Sequence, residues 1–365
     1  MAAANQFDHY LSPDGPAALV IREWLMPVEG ADGVLFPATF AEGPDFPGGY
    51  NVDVDPKTGK NVALIDTVGA QANRIEPLFA EEKYRHLIPQ IMIKAGEKEV
   101  SILEAGHRAG DALVRCSSLQ QPLHDAFKAV LKGNAESLAK IAPTSLVFGV
   151  WDSRDTQAKL PRIVASTIRA YDVRKLKRSA QFNPATEYVN DKLLDEPADK
   201  ATKDAYAERG FIHVPASGSH GGVIADGGIR RDATLGLAAL RLLSVSNDAD
   251  KTRKLQRYIL GLALVAFTHN PAGYLRQGCL LVKDPERAKE NEFVEVLPTG
   301  ERLAVKLTQD EVLKFATAAA KEFGVGESKT VPFDTERAKK DVKGEGDTKT
   351  KGKKGKKSDA EAVGG

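Results

Sequence analysis

The chain has 365 residues, 42% of them apolar and 28% charged, with a formal net charge of +1. Such a chain can bury a sizeable core, and its composition excludes the disordered and fibrous classes. The two cysteines, Cys116 and Cys279, lie far apart without metal-ligand spacing, which excludes a disulfide scaffold and fits a reducing compartment.

In chain order, residues 17–26 read as an amphipathic helix stopped by Pro27, and residues 33–40 as a strand. The Pro/Gly-rich residues 43–60 read as a loop, residues 62–66 as a strand and residues 77–88 as a helix. Short strands are expected at 90–94 and 101–103, a helix over 124–141, and a central strand in the continuous apolar run 145–151. Residues 162–173 alternate as a strand. The polar, lysine-dotted stretch 172–210 gives weak helix signals and reads as an insertion. Helices follow at 235–244, 251–269 and 310–323, with strands at 278–283 and 293–297. From Ala338 the chain is rich in Lys and Gly, lacks aromatics and cannot bury enough apolar surface to fold, so a disordered tail is expected. This interleaving suits an α+β sheet with helices on one face.

No stretch approaches the roughly 20 apolar residues of a membrane span. The opening MAAANQFDHYLSPDG has no basic segment leading into an apolar run, and a cytoplasmic protein is expected. The mean charge hides two basic regions. Between Trp151 and Ala180, Arg154, Lys159, Arg162, Arg169, Arg174, Lys175, Lys177 and Arg178 face three acids, Asp152, Asp155 and Asp172, for a local net of +5. The tail from Ala338 has nine lysines against five acids, so residues 1–337 sum to −3. Clustered cations of this kind neutralise phosphates and release counterions, giving affinity that carries little sequence information. The alternative is a solvated strand face with interspersed acids.

Residues 64–79, LIDTVGAQANRIEPLF, join a strand pattern to a helix pattern through Gln71, Asn73 and Arg74. An Arg fork beside carboxamides at a helix start can hold phosphate oxygens or a base edge, or it can simply make surface pairs. The segment GFIHVPASGSHGGVIADGGIRR, residues 210–231, places Arg230 and Arg231 after Gly218, Gly221, Gly222, Gly227 and Gly228, a composition suited to a mobile loop or to amides cradling a phosphate. It lacks the ending of a phosphate-binding loop, which argues against nucleotide hydrolysis. His213, His220 and Asp226 match no standard ligand spacing, so no metal or cofactor is expected. His107 with Cys116, and Asp66 with Asn73, make unconvincing catalytic pairs. Tyr171, Phe182 and Tyr188 are candidate stacking surfaces or core residues.

Several blocks carry a resemblance. AQANRIEPLF (70–79), LVFGVWDS (146–153), KLPRIVASTIRAYDV (159–173) and GGVIADGGIRRDATLGLAALRLL (221–243) resemble, in that order, the RAMP-superfamily backbone subunit of the CRISPR type I-U (I-G) Cascade effector complex. The resemblance covers about residues 38–282, and none of its blocks is a catalytic motif. It implies a ferredoxin-like, RNA-recognition-motif-like (RAMP) core with large insertions over residues 1–337, a thumb- or finger-like insertion over 172–210, and a non-catalytic subunit that polymerises along guide RNA (crRNA). The implied partners are the guide, target DNA through the guide, further copies of the chain, large and guide-processing subunits, and a recruited nuclease-helicase, with no membrane. The expected RNA contacts are Gln71, Asn73, Arg74, Arg154, Lys159, Arg162, Arg169, Arg174, Lys175, Lys177, Arg178, Arg230 and Arg231. The rival reading is an RNA- or DNA-cleaving enzyme that uses a loop carboxylate such as Asp226 with a divalent metal.

Overall fold

A computed structural model describes residues 6–269 and 273–343. The first strand, β1 (Ala18–Pro27), occupies the stretch whose pattern suggested a helix. Leu19, Ile21 and Glu23 turn inward while Val20 and Arg22 stay half-buried on the other face, the period of two that a sheet requires. β2 (Thr39–Phe40) is the paired end of the strand expected over 33–40, and β3 (Gly49–Tyr50) and β4 (Val52–Val54) cross the expected loop and lead to β5 (Asn61–Asp66). Helix α1 (Val68–Ile75) then begins well before Pro77, because the Thr67 hydroxyl accepts a hydrogen bond from the Ala70 amide and caps it. Pro77 sits instead in the 3-10 turn that follows.

The next elements are β6 (Ile91–Ala95), β7 (Lys98–Ser101), α2 (Ala112–Arg115), α3 (Gln120–Leu131) and α4 (Glu136–Ile141). A left-handed Gly133 divides the single helix expected over 124–141 into α3 and α4. The expected central strand at 145–151 is helix α5 (Thr144–Phe148). All five of its residues are buried, and a short helix buried on every side has the same local pattern as a buried strand. After β8 (Val150–Trp151) and β9 (Lys159–Leu160) come β10 (Val164–Tyr171) and the long β11 (Val173–Phe182). Helix α6 (Lys200–Glu208) precedes β12 (Val214–Ala225), which pairs back on β11 from Val173↔Ala225 to Phe182↔Val214. The insertion is thus an arm of two strands with its helix at the far end, and only Val173 and Leu176 of β11 are not exposed.

The chain continues through β13 (Ile229–Gly236), α7 (Leu237–Leu240), α8 (Ala249–Thr268), β14 (Tyr274–Arg276), β15 (Cys279–Lys283), β16 (Glu292–Val296) and β17 (Arg302–Ala304). It finishes with α9 (Gln309–Phe323), β18 (Lys329–Pro332) and α10 (Thr335–Lys343). The first six residues of the lysine-rich tail are therefore helical, contrary to expectation, and the rest of that tail lies outside the described residues.

The main sheet is antiparallel with nine strands, ordered β14-β15-β1-β13-β10-β5-β4, with β16 on the β15 side of β1 and β17 beyond it. Its helices lie on one face. Leu19 and Ile21 of β1, Ala233 and Leu235 of β13 and Val164 of β10 join the buried faces of α3, α5, α8 and α9 in one large core. A smaller core places Ile65, Ile168, Val223 and Leu281 beneath the other end of the sheet. The fold is mixed α+β. Among the described residues no helix is long and apolar enough to cross a membrane.

Candidate nucleic-acid interface

Strands β8 and β9 form a two-rung ladder, Val150↔Leu160 and Trp151↔Lys159, and the turn between them is tied down by its own acids. Asp152, 4% exposed, accepts hydrogen bonds from the Thr156 amide (2.8 Å) and hydroxyl (2.6 Å). Asp155 lies 2.6 Å from His124 Nδ1 and accepts from Gln120 Nε2 at 3.1 Å. Both acids at the head of the basic run are thus spent on structure. Arg154, Lys159 and Arg162 have no carboxylate partner among the described residues, and all three are exposed along a groove of about 1040 Å³. This arrangement leaves the local positive charge uncompensated toward solvent, where an anionic polymer can neutralise it.

The groove is shaped from below. Gly149, in the left-handed region at φ 75°, turns the chain out of α5. A Cβ there would lie 2.9 Å from both Arg162 Cγ and the Leu160 carbonyl, so the position requires glycine. Arg108, only 3% exposed, donates through Nε to Glu76 (2.6 Å), through Nη1 to the Gly149 carbonyl (3.3 Å) and through Nη2 to Asn73 Oδ1 (3.3 Å). It is itself left-handed, at φ 53°, a local strain of the kind held only where surrounding contacts enforce it. Partial desolvation of its inner side, with the neighbouring Arg108 charge, holds the Arg162 guanidinium below its usual range. Arg115, on the same groove, is occupied by Asp341 of α10 at 2.7 Å. Neither Arg108 nor Arg115 was singled out from sequence, because nothing local distinguishes a buried arginine from an exposed one.

Residues 19–175 match the family described as CRISPR-associated protein GSU0053. That stretch is similar to a CRISPR-associated protein family. It runs from β1 to the start of β11 and includes every groove residue from Gly106 to Arg162, while covering less than half of the 365 residues. No curated protein matches the chain.

The remaining expected contacts divide by environment. Gln71 is wholly buried, donating to Asp66 at 2.7 Å and accepting from Ser166 at 3.0 Å, so it is a core residue rather than a surface one. Arg74 donates through Nε alone to Asp66 (3.1 Å), its side chain 32% exposed, while Asp66 takes Arg276 at 2.7 Å on its other oxygen. Asp66 therefore anchors three donors at 1% exposure. Asp66→Ala would leave them unpaired, and a loss of about 3 kcal/mol or more is expected in denaturant unfolding; a loss under ~1 kcal/mol would contradict this account. Arg231 is buried against Glu23 at 3.1 Å, a second correction. Arg169 and Arg230 are cross-strand neighbours on the sheet face away from α8. There Arg169 donates to Thr167 and Arg230 to Asp232, with the Arg230 guanidinium over Trp24 and Tyr171.

On the arm, Lys175, Lys177 and Arg178 are exposed on β11, whereas Arg174 grips Asp226 through two hydrogen bonds of 2.6 and 3.2 Å. That contact holds the Asp226 carboxyl below its usual range. The glycine-rich segment is largely strand β12 and not a free loop. Its backbone is packed closely: Gly222, at φ 91°, leaves no room for a Cβ beside Val34 and the Leu35 carbonyl. His213 bonds Glu187 and Asn183, while His220 packs on Tyr50. Seven residues of nearly extended chain separate the two, about 20 Å. Among the described residues no group of three His, Cys, Asp or Glu is placed to hold a metal ion. Cys116 is buried and free, whereas the His107 side chain is 83% exposed. Tyr188 packs edge-on against Phe211, and Phe182 remains 50% exposed at the end of the arm.

Proposed function

We propose that this chain is a guide-RNA-binding backbone subunit of a CRISPR type I-U/I-G effector complex, gripping the guide through its phosphates and leaving base edges to pair with target DNA. The observation that carries this reading is the groove in which Arg154, Lys159 and Arg162 have no acidic partner among the described residues. Phosphate contacts position a strand without reading it, and specificity then resides in base pairing, as in other RNA-guided effectors. The match of residues 19–175 to a CRISPR-associated family supports the setting.

Topology supports the RAMP-like core. The central strands run β16-β1-β13-β10, all antiparallel. Helices lie in the connections β1→β10 and β13→β16, and β10 joins β13 through the arm. That is the order of a βαββαβ ferredoxin-like unit. The exposed lysines of the arm suit contact with the guide or with an adjacent copy. We assign the chain no cutting role, since Asp226 is engaged by Arg174. Large and guide-processing subunits and a nuclease-helicase would complete the assembly.

Gel filtration of the purified chain with guide-length RNA, followed by electron microscopy, is expected to show several copies on one strand. A lone particle carrying no RNA would overturn the reading.

A further inference from the structure

The groove also presents an aromatic surface. Of the two tryptophans in the chain, Trp24 is 9% exposed with the guanidiniums of Arg230 and Arg287 over its ring at 5.2 and 3.1 Å. Trp151 is 58% exposed. Its backbone is nonetheless fixed, paired to Lys159 across the ladder and flanked by Val150 and Asp152, which are 6% and 4% exposed. A large apolar ring exposed to water costs solvation, and the cations beside it, which have no carboxylate partner among the described residues, repel one another. One ligand chemistry relieves both: a flat π-face linked to a phosphate. Lys159 Nζ lies 5.5 Å from the ring centroid, close enough to neutralise the phosphate of a nucleotide whose base lies on the indole.

We propose that Trp151 is a stacking platform for an unpaired base, making the groove selective for single-stranded RNA over duplex, whose bases are already stacked on one another. The inference rests on the nucleic-acid reading of the groove and adds to it the state of the strand and the residue that selects it. An acidic peptide would satisfy the cations but not the ring.

The test uses tryptophan emission and fluorescence anisotropy on the full chain, its Trp151→Phe and Trp151→Ala variants, and three probes: a single-stranded RNA, an abasic strand of equal length, and an RNA duplex. Single-stranded RNA is expected to quench emission in the wild type and not in Trp151→Phe, which retains only the shielded Trp24. Its affinity should fall roughly 5- to 100-fold in Trp151→Ala and much less in Trp151→Phe. The abasic strand and the duplex should bind more weakly and without quenching. If single-stranded RNA binds while neither emission nor the Trp151→Ala affinity changes, stacking is overturned and the phosphate-binding groove stands. If none of the three probes binds, both fall together.

Discussion

Replacing Arg154, Lys159 and Arg162 together with alanine is expected to weaken binding of guide-length RNA about 100-fold at 0.1 M salt. Each phosphate neutralised on a single strand contributes a slope of about 0.7 to the dependence of log affinity on log salt, so three lost contacts lower that slope by about two. The loss should be the same for RNAs of unrelated sequence, since no base edge is read. Arg74→Ala is the control, because its Nε donates to the buried Asp66 and it lies outside the groove, and its affinity should stay within a few-fold of wild type. Anisotropy titrations at several salt concentrations measure both quantities. An unchanged slope in the triple variant would remove the groove from the binding surface, and a large effect of Arg74→Ala would move that surface to α1.

Glu76→Ala should be the more damaging change to the fold. Glu76 and Arg108 are 1% and 3% exposed and meet at 2.6 Å. Removing the carboxylate leaves a buried guanidinium with only Asn73 and the Gly149 carbonyl as partners, at a cost of about 3–5 kcal/mol at pH 8, where the pair is charged. A loss below ~1 kcal/mol in denaturant unfolding would show that Arg108 finds solvent instead. The same pair predicts a pH dependence. Burial pushes the Glu76 carboxyl from 4.5 up to about 7, against the pull of Arg108. A carboxyl raised in this way adds stability that is complete below its unfolded value and is lost as pH climbs through about 7. The amount is about 3 kcal/mol across that interval. Glu76→Gln keeps the shape, does not titrate, and should flatten this part of the stability profile.

These groove residues also show what a linear reading can reach. Charge density between Trp151 and Ala180 pointed to a segment of which three cations, Arg154, Lys159 and Arg162, line one groove. Which cations remain available is a different question, answered by acids distant in sequence. Glu23 silences Arg231 from 208 residues away, Asp226 holds Arg174 from 52 residues away, and Asp66 takes both Arg74 and Arg276. Conversely, Asp152 and Asp155, which appeared to dilute the basic run, turn back into the protein. Trp151 read as the end of a buried strand because Leu146–Val150 really is buried, and only the break at Gly149 frees the next side chain but one.

Elements with strong internal signals were readable without their neighbours. Helix α9 carries a capping box of Thr308 and Glu311. Helix α8 is capped by Asp248 ahead of a continuous apolar half, and β5 and β10 lie close to their expected limits, since caps and side-chain periodicity are properties of a few adjacent residues. Pattern failed where burial is complete or pairing is remote. Helix α5 is buried on all sides, and β1 fits both periods until β13 and β16 bind its two edges. From sequence alone came the α+β class, the strongest helices and strands, and a basic segment suited to phosphate. Only the folded chain decided which charges cancel and which face solvent, because an ion pair depends on distances of a few ångströms between residues that chain order leaves unrelated.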